Sequence, residues 1–194
     1  FGARMEYEVA TAVDLSSRPF RVTTYGREIR AESLIIATGA SPVHLQVPGE
    51  TELTGKGVSY CATCDGWFFK DKKIEVIGGG DSALEEAIFL TRFAKSVDVV
   101  HRRDAFRAGA LLQNRAKMNE KIHFRLDTVV KEIQGKDAVS SVVFKNVKTG
   151  EESTEKVDGV FIFVGHKPNT ELFRGQLAMD ERGYILSDTR MSTN

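Results

Sequence analysis

The feature that most constrains the fold is a glycine-rich turn between an apolar strand and a helix. Lys73–Ile77 has the apolar character of a buried strand, Gly78–Gly80 follows as a turn, and Ser82–Lys95 has helical periodicity. Ser96–His101 has the composition of a second strand, which completes a βαβ unit. Because strands joined through a helix run parallel, the sequence predicts an α/β, Rossmann-like dinucleotide-binding fold with a parallel sheet.

The two helices of this region carry different signals. Ser82 and Glu85 have the spacing of a capping box, which predicts that the first helix starts at Ser82. A second helix is predicted over Ala108–Asn119, with Gly109 as a weak point.

Short segments rich in β-branched and aromatic residues flank the βαβ unit and predict further strands. Those before it are Glu6–Leu15, Phe20–Tyr25 and Ile29–Thr38, the last ending in an apolar run, Leu34–Gly39, that suits a buried strand. Those after it, which predict a β-meander and a return to the sheet, are Ile122–Leu126, Val129–Gln134, Val139–Asn146 and Val157–Val164. Residues 40–57, rich in proline and glycine, predict a linker, and Asn146–Thr154 predicts a polar hairpin connection.

The glycine turn has the residues expected of a dinucleotide site. Gly78, Gly80 and Ala83 occupy the three small positions of G-x-G-x-x-A, with Asp81 and Ser82 between them. Glycines permit a tight turn and let backbone approach a pyrophosphate, and the third small residue lets helix and strand pack closely. The helix N-terminus offers free N–H groups to the phosphates. The alternative is a glycine-rich turn that binds nothing.

The residues at the end of the second strand indicate which dinucleotide would bind. NAD sites usually place an acidic residue about 20 positions after the turn. Here the strand runs into His101, Arg102 and Arg103, and Arg107 follows. Guanidinium groups suit the 2′-phosphate of NADPH, so the sequence favours NADPH over NADH. A solvated basic strand end is the alternative.

The only two cysteines, Cys61 and Cys64, form a Cys-x-x-Cys followed by Asp65. Such a pair can close into a disulfide and reopen by thiolate exchange, and Asp65 could move a proton during that cycle. Zinc would need about four ligands, and none of the four histidines forms a second close pair. We therefore predict a redox pair and no metal, with two unreactive structural thiols as the alternative. A flavin usually converts hydride into electrons for a disulfide, so the combination implies FAD.

Charge and hydropathy exclude several classes of partner. The chain has 27 basic and 27 acidic residues, and its apolar runs are shorter than the ~20 residues needed to span a bilayer. We expect no nucleic-acid partner, no membrane association and a cytoplasmic location. The chain starts at Phe1 rather than Met, from which we expect that residues precede it.

Taken together, the motifs resemble the ordered signatures of low-molecular-weight thioredoxin reductases, which are flavoproteins with two dinucleotide-binding domains. The matching segments are Cys61–Gly66, Gly78–Ala83, His101–Asp104, the Val164–Thr170 segment with Gly165 and His166, and Ala37-Thr38-Gly39, which is similar to a segment of their FAD domain. The resemblance extends over nearly the whole chain.

The resemblance implies a role for each matched residue. Cys64 would lie nearest the flavin, Cys61 would exchange with the substrate disulfide, and Asp65 would donate and accept protons. The three arginines would hold the 2′-phosphate. The remaining matched residues would contact the cofactors: Gly78, Gly80, Asp81, Ser82, Ala83, His101, Ala37, Thr38, Gly39, Gly165 and His166. The family works by rotating its NADPH domain, which presents nicotinamide and cysteines to the flavin in turn.

The resemblance also implies domain boundaries. Residues 1–43 and 171–194 would be remnants of an FAD domain, and residues 44–170 would be an NADPH domain carrying the cysteines. The family's first FAD turn is not in the sequence, so we expect the chain alone to bind NADP(H) but not to reduce thioredoxin. The complete protein would be a homodimer that reduces thioredoxin or a thioredoxin-like protein.

Two other functions remain open. One is a flavoprotein reductase that serves a peroxiredoxin, as in alkyl hydroperoxide reductases. The other is a non-catalytic NADP(H)-binding fragment. Ferredoxin–NADP reductases have a similar architecture but lack the cysteine pair, so Cys61 and Cys64 argue against them.

Overall fold

A computed structural model describes residues 2–194. In chain order the strands are β1 (Ala10–Asp14), β2 (Phe20–Thr24), β3 (Glu28–Ala31), β4 (Ala40–Pro42), β5 (Val58–Ser59), β6 (Lys73–Ile77), β7 (Ser96–Val100), β8 (Ile122–Arg125), β9 (Thr128–Gly135), β10 (Val139–Asn146), β11 (Glu152–Lys156), β12 (Gly159–Ile162) and β13 (His166–Pro168). The helices are α1 (Ala62–Asp65), α2 (Asp81–Leu90) and α3 (Ala110–Lys117), with 3₁₀ turns at Gly66–Phe69 and Glu171–Phe173.

The chain forms two compact units. One comprises residues 42–165, and the other combines residues 2–41 with residues 166–194. The sequence placed the corresponding boundaries at residues 43 and 170 instead. Residues 166–170 therefore belong to the same unit as the N-terminal strands.

The unit of residues 42–165 is built on a five-stranded sheet in the order β5-β12-β6-β7-β8. Every neighbouring pair in this sheet is parallel, which confirms the predicted fold class. Apart from Glu75 and Asp98, its inner strands are mostly apolar on both faces because both faces are covered, as parallel sheets require. One face packs on the helices through residues that include Ile74, Val76, Val97 and Val99. The other packs on the β9–β10–β11 meander through Ile77, Val100, Val160 and Ile162.

The central helix, α2, begins at Asp81 and buries Ala83, Leu84, Ala87 and Leu90. The predicted capping box is wrong, because Gly80 is the N-cap residue and makes no side-chain cap. Ser82 lies inside the first turn, since the helix starts directly from the glycine turn.

The predicted extension of α2 to Lys95 is also wrong. The ammonium of Lys121 donates hydrogen bonds to the carbonyls of Thr91 (2.9 Å) and Ala94 (3.0 Å). The N–H of Lys95 donates to the Lys72 carbonyl at 2.8 Å rather than to Thr91, so the helical bonding pattern does not continue, and Lys121 satisfies the carbonyls left free.

The β-meander was only partly predicted. β10 has the predicted bounds, but β11 lies partly in the segment predicted as a polar connection. β11 is an edge strand with mostly exposed residues, so it lacks the apolar alternation by which half-buried strands are recognised.

The second unit contains the antiparallel sheet β1-β2-β3 and the pair β4–β13. The strand predicted over Leu34–Gly39 is wrong: these residues form no strand, and Ile35 is 92% exposed. The apolar run is therefore not a buried core element of this unit. None of the helices in residues 2–194 has both the length and the apolar character needed to cross a membrane.

Glu75 lies fully buried at the centre of the parallel sheet, and neither carboxylate oxygen has a hydrogen-bond partner in the described residues. Asp98 is its neighbour on β7. Lys73 lies 3.4 Å from Asp98 and 3.5 Å from Glu155, which also pairs with Arg125 at 3.3 Å. Burial and then the charge of Asp98 raise the pKa of Glu75 to about 8, and the two cations offset only part of this effect.

We predict that Glu75 makes stability fall as the pH rises. The folded-state pKa is above the ordinary value of 4.5, so the contribution of Glu75 is fully present below about pH 4.5 and is lost as the pH rises through about 8. Between pH 6 and 9 the free energy of unfolding should drop by about 2–3 kcal/mol. Glu75→Gln should remove this drop, as measured by urea unfolding at both pH values.

Glu85→Gln, at an exposed glutamate of α2, serves as the control. The prediction fails if wild type and Glu75→Gln lose the same stability over this pH interval.

Candidate functional site

Two of the three glycines in the turn after β6 are tightly packed, and the third is exposed to open space. A Cβ atom on Gly78 would overlap the carbonyl oxygen of Phe163, and one on Gly79 would overlap the ring of His101. Gly78 also has a φ of +153°, which side chains rarely permit. Around Gly80, by contrast, no atom of the described residues lies within 4 Å of an added Cβ. The third glycine therefore faces open space at the start of α2.

The start of α2 packs directly against this turn. Ala83 is fully buried, and a Cβ on Gly78 would lie 2.7 Å from the Ala83 side chain. This is the close helix–strand packing expected of the third small position. The carboxylate of Asp81 accepts a hydrogen bond from the Gly109 N–H at 2.7 Å, which joins the starts of α2 and α3. The first-turn N–H groups of α2 point away from the helix and suit an anion.

His101 ends β7 and lies beside the turn. It is 6% exposed, stacks on Phe106 with 5.5 Å between ring centroids, and its Nε2 has no hydrogen-bond partner in the described residues. Burial lowers the pKa of His101, a hydrogen bond with the Ala105 backbone offsets part of this effect, and the charges of the three nearby arginines lower the pKa further. The ring is therefore neutral at physiological pH and leaves one buried nitrogen for a ligand.

The three arginines of this segment are free to bind an anion. Arg102, Arg103 and Arg107 are exposed, and within residues 2–194 no salt bridge involves them. The N–H groups of Arg107 and Ala108 donate to the Gly79 carbonyl at 2.7 and 3.2 Å, which folds the segment back onto the glycine turn. The loop thus holds unpaired guanidinium groups close to the start of α2.

A cavity of about 480 Å³ opens at this edge of the sheet. Five residues of the glycine turn and basic segment line it: Gly78, Gly79, His101, Arg102 and Arg107. The rest of its lining was not found by sequence reasoning: Val43, His44, Leu45, Val47, Ile77, Val100, Thr128, Val129, Val130, Phe163 and Val164. The usable signal was their position, since ligands of α/β sheets bind beyond the carboxyl ends of the strands.

Cys61 and Cys64 form a disulfide at the start of α1. Cys64 is exposed and Cys61 is half-buried. The hydroxyl of buried Ser59 accepts a hydrogen bond from the Cys61 N–H at 3.0 Å and donates to the Asp65 carboxylate at 2.6 Å. Ser59 therefore fixes Asp65 relative to the disulfide.

The structure does not bring all the predicted site residues together. The cavity lining contains neither cysteine and not Asp65. Gly165 belongs to the same unit as the cavity, and its carbonyl accepts a hydrogen bond from the Val43 N–H at 3.0 Å. No group of three or more side chains in the described part of the chain is arranged to hold a metal ion.

The segment Ala37-Thr38-Gly39 and His166 lie in the other unit. Asn169 holds this segment: its side chain donates to the Thr38 carbonyl at 3.1 Å, and its backbone N–H donates to Gly39 at 3.0 Å. Gly39 has a φ of +67° and no neighbour within 4 Å of an added Cβ. The segment is an exposed loop.

The family model for pyridine nucleotide-disulphide oxidoreductases matches residues 3–194. Among curated proteins, the thioredoxin reductase of Streptomyces coelicolor is 51% identical over 97% of this chain and 59% of its own length. The thioredoxin reductase of Mycolicibacterium smegmatis is 50% identical over 95% of this chain and 60% of its own length. The chain thus spans about 60% of the length of these relatives.

The fold is similar to that of solved thioredoxin reductases. The crystal structure of the Lactococcus lactis enzyme matches with a TM-score of 0.86 and 46% identity, over 97% of this chain and 63% of that chain. The resemblance noted from the motifs is therefore confirmed by whole-chain sequence and fold similarity.

The different packing of Gly79 and Gly80 leads to a prediction about stability. Gly79→Ala should destabilise the protein by about 1–3 kcal/mol, because the added methyl group overlaps the His101 ring in a packed site. Gly80→Ala is the matched control and should cost under about 1 kcal/mol, because its methyl group enters open space and its φ of −96° suits any residue. Thermal unfolding measures both, and equal losses would contradict the packing described for this turn.

Proposed function

Because the chain belongs to the pyridine nucleotide-disulphide oxidoreductase family, we propose that it acts in an NADPH-dependent flavoprotein disulfide reductase of the thioredoxin reductase type. Electrons would pass from NADPH through FAD to the Cys61–Cys64 disulfide and on to thioredoxin or a thioredoxin-like protein. One observation carries the proposal: a single compact unit holds both an anion-ready glycine turn and a disulfide with an exposed cysteine.

NADPH is the dinucleotide that suits this cavity. The open space at Gly80 and the N-terminus of α2 would receive the pyrophosphate. The 2′-phosphate would be bound by Arg102, Arg103 and Arg107. Their guanidinium groups have no carboxylate partner in the described residues, so no ion pair has to break when the phosphate binds. His101 is neutral and partly enclosed, so it would offer its buried nitrogen without adding charge.

The cysteines would carry out disulfide exchange. The chemistry that FAD supplies when bound is the conversion of a hydride into an electron pair that a disulfide can accept. Taking up two electrons and two protons turns the disulfide into two thiols. We propose that Cys64 faces the flavin, that Cys61 attacks the substrate disulfide, and that Asp65, held by Ser59, accepts and returns the proton.

The separation of the cavity from the cysteines supports a moving domain. Since no cysteine lines the cavity, nicotinamide and disulfide would reach the flavin at different times. We therefore propose that the compact unit of residues 42–165, rather than the 44–170 expected from the sequence, is an NADPH domain that rotates as a unit. The flanking segments would contribute to the FAD domain, with the exposed loop at Ala37–Gly39 and His166 contacting FAD. Gly165, the last residue of the rotating unit, would contact FAD as well.

We further propose a cytoplasmic, homodimeric protein. A cytoplasm kept reducing is where a thiol-regenerating enzyme of this chemistry would work. Thioredoxin is supported as the partner because the relatives are thioredoxin reductases, and one from Mycobacterium leprae is a bifunctional thioredoxin reductase/thioredoxin.

We predict that the protein binds NADPH in preference to NADH. Arg102→Ala should weaken NADPH binding about tenfold and leave NADH binding nearly unchanged, because only NADPH carries the 2′-phosphate that a guanidinium can bind. Dissociation constants from calorimetry or fluorescence quenching measure this. Arg115→Ala, at an exposed arginine of α3, is the control. Equal affinities of the wild type for the two cofactors would refute the assignment.

We also predict that the cysteine pair is redox-active. Dithiothreitol should release two thiols, and air should re-form the disulfide. The chain alone is not expected to reduce thioredoxin with NADPH, but once dithiothreitol has supplied the electrons that FAD would deliver, its thiols should reduce oxidised thioredoxin faster than an oxidised peroxiredoxin. Thiol counting and gel-shift alkylation follow each step. Cys64→Ser should expose one thiol without reductant. Stoichiometric zinc in the purified protein, or faster transfer to the peroxiredoxin, would argue against this assignment.

A further inference from the structure

An acidic side chain lies inside the basic segment. Asp104 directly follows Arg102 and Arg103 and precedes Arg107. An unpaired carboxylate here would repel a phosphate and compete with it for the guanidinium groups. The segment can select a 2′-phosphate only if this charge is offset.

The structure pairs Asp104 with a lysine from a distant part of the chain. Lys148, in the β10–β11 hairpin, places its ammonium 3.2 Å from the Asp104 carboxylate and 3.1 Å from that of Asp127. The hydrogen bond from Lys148, and then its charge, hold the pKa of Asp104 below its usual value, so Asp104 remains ionised and engaged.

Backbone hydrogen bonds fix this hairpin to the basic segment. The N–H of Asp127 donates to the Arg103 carbonyl at 3.1 Å, and that of Thr128 donates to the His101 carbonyl at 2.9 Å. The N–H of Val147 donates to the Asp127 carbonyl at 2.7 Å. The position of Lys148 is therefore set in part by the main-chain contact of the preceding residue, Val147, and not by its flexible side chain alone.

We propose that Lys148 is a positioning residue for cofactor specificity: by holding Asp104 and Asp127 together it keeps Asp104 away from the arginines and leaves them for the 2′-phosphate of NADPH. This inference rests on the proposed function, because it concerns how the same site distinguishes NADPH from NADH. The residues it adds, Lys148 and Asp127, are not part of the G-x-G-x-x-A motif or of the arginine cluster.

The expected effect is moderate because the pair is exposed. Side-chain exposure is 58% for Lys148 and 72% for Asp104, so water and salt screen the interaction. Lys148→Met should raise the dissociation constant for NADPH about two- to fivefold at low salt, and that for NADH much less. The loss should shrink as the salt concentration rises.

A double-mutant cycle tests the mechanism. If Lys148 acts by occupying Asp104, then Asp104→Asn in the Lys148→Met background should restore the preference for NADPH. Lys148→Arg should keep the preference, because it keeps the charge. Lys131→Met is the matched control, since Lys131 makes a similar exposed ion pair with Glu152 at 2.7 Å in the same meander.

Several outcomes would overturn the proposal. Without rescue in the double variant, Lys148 would be a direct phosphate ligand; with equal losses for both cofactors, its role would be structural. An unchanged NADPH affinity in Lys148→Met would remove any role. If the wild type itself shows no preference for NADPH, the proposed function fails and this inference fails with it. A preserved wild-type preference with an inert Lys148 would refute this inference alone.

Discussion

The close approach of backbone to side chain at the glycine turn is the constraint on which the rest of the site depends. Gly78 lies against the chain that leaves β12, and Gly79 lies against the ring of His101. The parallel strands β6 and β7 stay paired up to Ile77 and Val100, and the turn after β6 packs directly against His101 at the end of β7. Gly78 and Gly79 line the cavity, and the open side of Gly80 lies at the start of α2, where an anion finds free N–H groups.

Charge is distributed unevenly over this sheet. In its interior, Glu75 and Asp98 lie on neighbouring strands, with a lysine and an arginine only partly offsetting them. Arg102 and Arg107 line the cavity. Their guanidinium groups and that of the neighbouring Arg103 have no carboxylate partner in the described residues, and Asp104, which lies among them in the sequence, is held by Lys148. The interior cluster ties stability to pH, whereas the cavity cluster leaves positive charge available for a ligand.

The disulfide and the cavity use one scaffold but different parts of it. The disulfide sits on α1, whose following residue Gly66 packs against Leu90 at the far end of α2. The cavity lies at the start of that same helix. Electron transfer from a dinucleotide in the cavity to the disulfide would need a carrier, which is why we propose FAD. It would also need each of the two sites to reach that carrier, which is why we propose domain rotation.

The sequence by itself determined the glycine turn and the cysteine pair, because each depends on residues a few positions apart. It also determined the βαβ unit and hence a parallel sheet, because the apolar strands and the helix between them are visible in the local pattern. It did not determine that α2 starts from Gly80 and ends at Leu90. Nor did it determine that Leu34–Gly39 forms no strand or that β11 is an edge strand. The same holds for the cavity wall and the pairing of Asp104 with Lys148, 44 residues away. Those features depend on which distant segments pack together, and only the tertiary structure decides that.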